Sequence, residues 1–430
     1  MNISPGTTSI GMNENAGQCL VKVGDTLRIT YSDRSTAMAK IMYNQSHDQG
    51  LTWGTPVQLF TSLNCGFTAI ASSGSNVHIV WMDSLGSDRA SYYRRSLDGG
   101  VTWDPIICLD SVTKFWPGIA CSGNLVIATL NKDLAGNTEV FIKRSLDNGS
   151  TWLPEQQISN APNRSEDPAI TMLGNDVHLS WNDKRSGIMN IYYCHSADGG
   201  ATWGTETGLT TTDSYTSMVC ADGNHVDVPH GLRIGTTFDL GLAESADTGT
   251  TWPPNQLLTN TPALSELYPF MVRDGLNMHL VHIGPGGTNY IHSADGGTTW
   301  DAPLLLGASN GQPFIAYTAC ALHVIFGNAG AIYYMRNPIG NCPTVGVNST
   351  ASANSGVKVY PNPASDEITV NTSDNEPSEI TLYDLTSREL FRQTFTNSTI
   401  VNIEKLSTGI YIYKMKSRNG ILNTGKVVKD

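Results

Sequence analysis

Short segments in which apolar and polar residues alternate recur along most of the chain. Typical examples are NVHIVW at 76–81, DVHLSW at 176–181, SYYRRS at 91–96 and NIYYCHS at 190–196. Alternation with a period of two is typical of a β-strand with one buried face. A Gly/Asn turn precedes the first kind of segment, and a loop leads from it to the second kind. Each unit therefore predicts a four-stranded antiparallel meander.

An octapeptide of the form Ser-x-Asp-x-Gly-x-Thr-Trp ends the third strand segment of these units. It occurs six times, and its aspartates are spaced by 50, 49, 51, 49 and 48 residues. The six aspartates are Asp48, Asp98, Asp147, Asp198, Asp247 and Asp295. A repeat of about 49 residues that contains four strands matches one blade of a β-propeller, in which radial packing protects the sheet edges. The sequence therefore predicts an all-β fold.

The number of blades follows from counting the inner strands rather than the octapeptides. Six octapeptides indicate six blades, but segments typical of an inner strand begin seven times. They begin near Gln18, Phe67, Pro117, Pro168, Thr216, Pro269 and Pro313. The seventh unit, residues 312–336, has three strand segments and no octapeptide, and residues 1–12 are expected to supply its outer strand. We predict a seven-bladed propeller, with a six-bladed one as the alternative.

The octapeptide is the Asp-box, or BNR repeat, of the sialidase-like propellers, and residues 1–336 resemble that superfamily. The resemblance implies a structural role for the six Asp-box aspartates. In physical terms, each carboxylate can accept hydrogen bonds from the backbone of its own turn, and the glycine supplies a position with positive φ. The ligands of a calcium loop are denser in sequence than this, so we predict no metal site there.

The character of the sequence changes after residue 336. Residues 337–356 are small, polar and proline-containing, which indicates a linker, and the strand segments of residues 357–430 predict a small Ig-like β-sandwich. The motifs YPNP at 360–363, GIY at 409–411 and GKVVK at 425–429 resemble the C-terminal sorting domain of the Bacteroidetes type IX secretion system. That resemblance implies a secreted or surface-attached protein that engages the type IX secretion machinery through residues 357–430.

The meander topology predicts which end of the propeller binds a ligand. The Asp-boxes are turns between third and fourth strands, so the loops at the opposite end must form the site. Candidate ligand-binding residues in those loops are Arg34, Asp83, Arg89, Trp116, Arg164, Glu166, Asp167, Asp183, Arg185 and Tyr268. Of these, Trp116, Asp167 and Tyr268, together with Gln312, directly precede inner strands and are expected at the mouth of the central channel.

The residue types in these loops suit a sugar ligand. An aromatic ring can stack on the apolar face of a pyranose, while Asp, Asn and Arg form hydrogen bonds with hydroxyl groups or a carboxylate. The histidines follow a different pattern, because His78, His178, His279 and His323 recur at one position of the second strand. Recurrence in blade after blade favours packing between blades over a single catalytic centre.

The sialidases that this region resembles use three arginines, a tyrosine nucleophile activated by a glutamate, and an aspartate as acid and base. The candidates for a catalytic role are Glu266, Tyr268, Asp167 and Arg185. The Phe/Tyr-Arg-Ile-Pro motif that carries the first arginine is absent. The nearest string, LRIT at 27–30, lacks the aromatic residue and the proline and lies in a second strand. Regular repeats with short loops also leave little room for a deep, asymmetric pocket.

Composition excludes several other classes of function. The formal net charge of -12 and the absence of a Lys/Arg cluster argue against a nucleic-acid partner. The eight cysteines show neither CxxC pairs nor a Cys/His metal spacing, and no apolar run approaches about 18 residues. We therefore predict no metal, no cofactor and no transmembrane segment. The predicted function is glycan recognition without catalysis, and the alternative is a glycoside hydrolase, either an exo-sialidase or another glycan-cleaving enzyme.

Overall fold

The computed structural model consists of β-strands joined by turns and loops. The chain divides into two compact units, Met1–Cys342 and Pro343–Asp430. The residues whose structure is described are 3, 10–11, 17–85, 88–113, 117–261, 264–309, 311–318, 321–328, 331–338, 358–360, 364–372, 377–384, 389–407, 409–417 and 420–429. These residues include no helix that is long and apolar enough to cross a membrane.

The first four sheets of the larger unit follow one another in chain order, and all their strand pairs are antiparallel. Sheet 1 contains β1 (Ile10–Gly11), β2 (Leu20–Val23), β3 (Thr26–Asp33), β4 (Ala39–Ser46) and β5 (Val57–Ser62). Sheet 2 contains β6 (Gly66–Ser73), β7 (Asn76–Leu85), β8 (Asp88–Ser96) and β9 (Ile107–Asp110). Sheet 3 contains β10 (Gly118–Ser122), β11 (Leu125–Leu134), β12 (Asn137–Ser145) and β13 (Gln156–Gln157). Sheet 4 contains β14 (Ser165–Leu173), β15 (Asp176–Asp183), β16 (Asn190–Ser196) and β17 (Thr207–Gly208).

Three further sheets complete the described part of this unit. Sheet 5 contains β18 (Ser214–Tyr215), β19 (Cys220–Asp222), β20 (His225–Ile234), β21 (Thr237–Ser245) and β22 (Gln256–Leu257). Sheet 6 contains β23 (Leu267–Asp274), β24 (Asn277–Gly284), β25 (Gly287–Ser293) and β26 (Leu304–Gly307). Sheet 7 contains β27 (Phe314–Thr318), β28 (Ala321–Asn328) and β29 (Ala331–Pro338). Both β18 and β19 pair with β20, so they are two pieces of one interrupted inner strand.

The inner strands of the seven sheets contact one another in a circle. Each inner strand touches the next in the order β2, β6, β10, β14, β19, β23 and β27, and β27 touches β2 again. The largest cluster of buried apolar side chains spans the return from the last sheet to the first, with Phe314 and Ile325 beside Leu20 and Ile29. Burial of these side chains between neighbouring sheets stabilises the circle.

In sheets 1 to 6 the octapeptide, or box, lies at the end of the sheet where the inner strand turns into the second strand. In sheet 2, the backbone N–H of Gly99 donates a hydrogen bond to the carbonyl oxygen of Ser75 at 2.8 Å. Equivalent bonds join Gln49 to Asp25, Asn148 to Asn124, Gly199 to Asn175, Thr248 to Asn224 and Gly296 to Leu276. We call this end the box face and the opposite end, where the inner strands begin, the mouth face.

Each box is a closed set of hydrogen bonds, as the box of sheet 3 illustrates. Asp147 Oδ1 accepts hydrogen bonds from the Ser145 hydroxyl at 2.7 Å and from the Thr151 N–H at 2.9 Å, and Oδ2 accepts one from the Thr151 hydroxyl at 2.7 Å. The Ser145 hydroxyl oxygen in turn accepts a bond from the N–H of Gly149 at 2.7 Å. These bonds, those from Thr151 above all, favour the carboxylate and lower the pKa of Asp147 to about 2.

A tyrosine from the preceding sheet packs closely against several of the box glycines. The Tyr93 hydroxyl of sheet 2 donates to the carbonyl oxygen of Asn148, and a Cβ atom placed on Gly149 would lie only 1.8 Å from that hydroxyl. The glycine therefore provides a close contact between sheets in addition to its φ of +78°. Tyr334 of sheet 7 reaches sheet 1 in the same way, with its hydroxyl donating to the carbonyl oxygen of Gln49 at 3.2 Å.

The amino terminus meets two different sheets. Of residues 1–12, which were expected to supply the outer strand of sheet 7, the structure describes Ile3, Ile10 and Gly11. The N–H of Ile3 donates to the carbonyl oxygen of Ile332 in β29 at 3.0 Å, which is the contact expected of an outer strand. Ile10 and Gly11 instead pair with β3 and extend sheet 1.

The smaller unit contains two antiparallel sheets. In chain order its strands are β30 (Lys358–Tyr360), β31 (Glu367–Asn371), β32 (Ser378–Tyr383), β33 (Glu389–Phe395), β34 (Ser398–Asn402), β35 (Gly409–Ser417) and β36 (Gly420–Lys429). One sheet has the order β30-β31-β34 and the other β33-β32-β35-β36. Ile368 and Val401 from the first sheet share one buried cluster with Ile380, Leu382 and Met415 from the second.

Candidate functional site

Four inner strands begin at the mouth face with an unusual backbone conformation. Phe67, Asp167, Thr216 and Tyr268 occupy equivalent positions, and each has a positive φ between 51° and 56°. In sheets 2, 4 and 6 the residue lies within a register shift, and in sheet 5 it lies in the gap between β18 and β19. Bulky residues rarely adopt this left-handed conformation, and such strain is found preferentially at functional sites.

Asp167 is held by asparagines from two neighbouring sheets. Its N–H donates to Asn131 Oδ1 at 3.2 Å, and its Oδ2 accepts a hydrogen bond from Asn182 Nδ2 at 3.0 Å. Asn182 is also the cross-strand partner of Glu166, the residue before Asp167. We call Asn131, Glu166, Asp167 and Asn182 the Asp167 cluster.

Each member of the Asp167 cluster retains one polar atom without a hydrogen-bond partner among the described residues. The four atoms are Asn131 Nδ2, Glu166 Oε2, Asp167 Oδ1 and Asn182 Oδ1. Asn131, Glu166 and Asn182 are buried, with relative exposures of 0%, 7% and 2%. Unpaired polar atoms in buried positions are unfavourable, and several on contacting residues suggest a place where a polar ligand binds.

Burial also shifts the protonation of the two carboxyl groups. Desolvation, followed by the negative charge of Glu166, raises the pKa of Asp167 to about 7, against a smaller opposing effect of the Asn182 hydrogen bond. Burial likewise raises the pKa of Glu166, although the positive charges of Arg164 and Lys184 oppose the shift. Burial therefore favours the protonated form of Asp167, and the carboxylate, whose oxygens are both acceptors, predominates only above about pH 7.

Arg164 and residues of sheet 5 lie beside the cluster. Arg164 Nε lies 3.1 Å from Glu166 Oε1, and the charges of Arg164 and Arg233 both act on the Tyr215 hydroxyl. Arg233 pairs with Asp213 at 2.9 Å and lies over the Phe238 ring, which packs edge-on against the ring of Tyr215. No sequence motif marked Arg233 or Phe238, which are cross-strand partners at the adjoining ends of β20 and β21.

Other predicted site residues are occupied by local contacts. Arg185 lies 2.6 Å from both Asp183 and Glu206, and its guanidinium stacks 4.0 Å from the centre of the Tyr192 ring. Asp183 also accepts hydrogen bonds from Ser165 and Trp181. These bonds fix the loop between β15 and β16, and they engage the charged groups that a ligand would need.

In sheet 2, Asp83 is likewise engaged by another side chain of the protein. Asp83 is buried and accepts a hydrogen bond from the Ser62 hydroxyl at 2.7 Å. Arg34 is exposed and lies 5.9 Å from the centre of the Phe67 ring, and Arg89 is exposed in β8. Trp116 lies outside the described residues. The structure thus places Arg34 at the mouth face beside Phe67, whereas Asp83 fixes a loop.

The remaining mouth candidates lie in sheets 5 to 7. The Tyr268 N–H donates to Thr216 Oγ1 at 3.3 Å, much as the Asp167 N–H donates to Asn131. Glu266 is fully buried and accepts a hydrogen bond from the Thr261 hydroxyl at 3.4 Å, and burial raises the pKa of its carboxyl group. Gln312 is also buried, and its Oε1 atom has no partner among the described residues.

The recurring histidines bind tyrosines rather than facing the mouth. His78, His178, His279 and His323 each have Nδ1 at 2.7 Å from a tyrosine hydroxyl of a neighbouring strand. Two of these tyrosines, Tyr93 and Tyr334, also donate to a box in the adjoining sheet. Arg28, at the equivalent position of sheet 1, is buried and donates to the carbonyl oxygen of Gly74 at 2.9 Å.

A cavity of about 310 Å³ runs between the inner strands of all seven sheets. Its lining is mostly small or apolar, with Ala71, Val219 and Met271 as examples, and the charged residues Lys22 and Arg273 line it near the ends of β2 and β23 at the box face. Within the described residues, no three His, Cys, Asp or Glu side chains come together in a way that could hold a metal ion.

Comparison with known families identifies the C-terminal unit. Residues 358–430 match the family described as "Secretion system C-terminal sorting domain". This domain indicates export by type IX secretion to the cell surface or the outside of the cell. No curated protein matches the chain.

Two polysaccharide lyases of solved structure share the fold of this chain over about three quarters of its length. An ulvan lyase of polysaccharide lyase family PL25, bound to -[GlcA(1-4)Rha3S]-, is 11% identical, with 76% of this chain and 94% of that chain covered and a TM-score of 0.55. The polysaccharide lyase Uly1 is 11% identical, with 75% and 90% covered and a TM-score of 0.51. A Trypanosoma rangeli sialidase in complex with sialic acid is 11% identical, with 98% and 83% covered and a TM-score of 0.46.

Proposed function

We propose that the protein is an exported glycan-binding protein that holds its ligand at the mouth face, with the Asp167 cluster at the centre of the site. The observation that carries this proposal is the set of four unpartnered polar atoms on contacting, mostly buried residues. Sugar hydroxyl groups both donate and accept hydrogen bonds, so a sugar ring can satisfy these atoms together. The fold shared with two polysaccharide lyases supports a carbohydrate ligand.

We further propose that the seven sheets are the seven blades of a propeller and that the smaller unit is a β-sandwich. The circle of contacts from β2 to β27 and back supports the first part. The buried cluster shared by two sheets supports the second part. In this arrangement the Asp-boxes are structural, and residues 358–430 are the part that engages the secretion machinery.

The test is a glycan array probed with the full chain, followed by calorimetric titration of each glycan that binds. We expect Asn182→Ala and Asp167→Ala to weaken binding at least tenfold, because each removes a polar atom that the ligand would satisfy. Asp301→Asn is the matched control, since Asp301 is exposed and follows the box of sheet 6. Equal affinity in all three variants would refute this site.

A second candidate function is glycan cleavage with Asp167 as the proton-transferring group. The observation that favours it is the pKa of Asp167, which burial raises to about 7, because acid–base catalysis is most effective near the working pH. An exo-sialidase is less well supported, since Arg28 is buried and Arg185 is already paired with two carboxylates. New reducing ends or unsaturated products from a bound glycan, lost in Asp167→Asn, would favour the enzyme.

A further inference from the structure

The unpartnered atoms of the Asp167 cluster are mostly hydrogen-bond acceptors. Glu166 Oε2, Asp167 Oδ1 and Asn182 Oδ1 are oxygens, and Asn131 Nδ2 is the single donor group. A ligand group that satisfies them must bring more donors than acceptors. A carboxylate or a sulfate brings acceptors alone and would leave the oxygens of the cluster without a partner.

The charges around the cluster also disfavour an anion. Glu166 and Asp167 are adjacent acids, and Arg164 already forms an ion pair with Glu166, with Nε 3.1 Å from Oε1. On the same face, Arg233 is paired with Asp213 and Arg185 with Asp183. Lys184 is exposed, and its charge acts on Glu166. An anionic ligand group would therefore have to compete for these arginines with carboxylates of the protein itself, which already lie beside them.

The fold itself holds Asp167 in one position, without a ligand. Its backbone has a φ of 56°, its N–H is bound by Asn131, and its Oδ2 is bound by Asn182. Oδ1 has no partner among the described residues, so the fold fixes the direction in which it can accept a hydrogen bond from a ligand. Fixed acceptors select the ligand group that matches them, because no rearrangement is needed to form the bond.

On the basis of the proposed function, we infer that the Asp167 cluster binds a neutral sugar through adjacent hydroxyl groups and rejects a sugar with a carboxylate or sulfate at that place. One hydroxyl donates to Asp167 Oδ1 and its neighbour donates to Asn182 Oδ1. A hydroxyl oxygen accepts from Asn131 Nδ2. The ligand of this site is then an uncharged stretch of glycan, even where the complete polysaccharide carries charged residues elsewhere.

The experiment compares matched pairs of oligosaccharides that differ in charge alone. Suitable pairs are β-1,4-mannan with β-1,4-mannuronan, cello-oligosaccharides with β-1,4-glucuronan, and a neutral galactan with its sulfated form. Affinities for the full chain are measured by calorimetry at pH 8 with 50 and 300 mM NaCl. In any pair that binds, we expect the neutral member to bind at least tenfold more tightly, with little dependence on salt.

Two variants test whether the Asp167 cluster causes this preference. Asp167→Asn keeps the size of the side chain and removes its charge, so we expect weaker binding of the neutral member and a preference reduced by at least threefold. Arg164→Gln should not reduce the preference, because it removes a cation that would favour the anionic member. Circular dichroism and melting temperature verify that both variants fold.

The outcomes separate this inference from the proposed function. Tighter binding of the anionic member, lost in Arg164→Gln and retained in Asp167→Asn, would overturn the inference and leave glycan binding intact. If no glycan of the array and no member of any pair binds, the proposed function is wrong, and this inference is wrong with it.

Discussion

The box face and the mouth face place aspartate side chains in opposite environments. At the box face, Asp147 receives hydrogen bonds from its own turn, and they lower the pKa of its carboxyl group to about 2. At the mouth face, Asp167 keeps Oδ1 without a partner among the described residues, and burial raises its pKa to about 7. An aspartate whose bonds are complete within its own turn stabilises the fold, whereas one with an unused acceptor can serve a ligand.

Repetition distinguishes the two faces as well. The box repeats with the same residues in six sheets, but the equivalent mouth positions carry different side chains, namely Phe67, Asp167, Thr216, Tyr268 and Gln312. A motif that only stabilises the fold has the same role in every sheet. A site has to differ from sheet to sheet, because a ligand presents different atoms on its different sides.

The largest effect should come from crowding a box glycine. Gly149→Ala would place a Cβ atom 1.8 Å from the Tyr93 hydroxyl, in a backbone with a φ of +78°. We expect a loss of about 3 kcal/mol or more in the free energy of unfolding, measured with denaturant. Gly123→Ala is the control, because its φ is +55° but no atom lies within 4 Å. There the strain alone should cost about 1 kcal/mol, and equal losses would show that the tyrosine contact is unimportant.

A smaller effect should follow from opening one box without adding atoms. Ser145→Ala removes the hydroxyl that binds Asp147 and leaves the Gly149 N–H without its acceptor. We expect a loss of about 1–2 kcal/mol in the free energy of unfolding. Glycan binding should be unchanged, since the box lies at the other face. A loss of binding with normal stability would contradict the division between the faces.

A third effect concerns pH, and the two faces should respond in opposite directions. The folded-state pKa of Asp167 is above its unfolded value of 3.8, so folding takes up a proton and stability falls as pH rises from about 4 to 7. Asp167→Asn should reduce this fall, as melting temperatures at pH 4.5 and 8 would show. The pKa of Asp147 is lowered, so its contribution is present above about pH 4 and is lost as pH falls towards 2.

The matched variant Asp147→Asn completes the pH comparison. It should be less stable than the wild type at pH 8 and should approach it in acid, where the wild-type carboxylate is protonated. Parallel pH profiles for the Asp147 and Asp167 variants would contradict the contrast between the faces.

The sequence predicts the parts of the molecule that depend on local pattern. Period-two alternation and the Asp-box spacing predict the all-β architecture, and the C-terminal motifs predict the sorting domain. The topology argument also indicates the correct end for the boxes, since their turns bond to those between inner and second strands.

The composition of the candidate site was harder to predict, because it depends on competition between side chains. Asp167, Asp183 and Arg185 look equally available in the sequence. In the structure Asp183 and Arg185 bind each other, which they can do because they are two residues apart in one loop. Asp167 has no such local partner, and its asparagines come from residues 15 and 36 positions away. The left-handed backbone at Tyr268 is likewise set by tertiary packing.

The bond between Tyr334 and Gln49 joins residues that are 285 positions apart in the chain. Loop-closure entropy and contact order both make such a junction a slow event in folding. The contact between the last sheet and the first can therefore form only when almost all of the larger unit is available to fold. A circular permutant with new termini in the box-face turn between β10 and β11 would move this junction and should change the folding rate while leaving the mouth face intact.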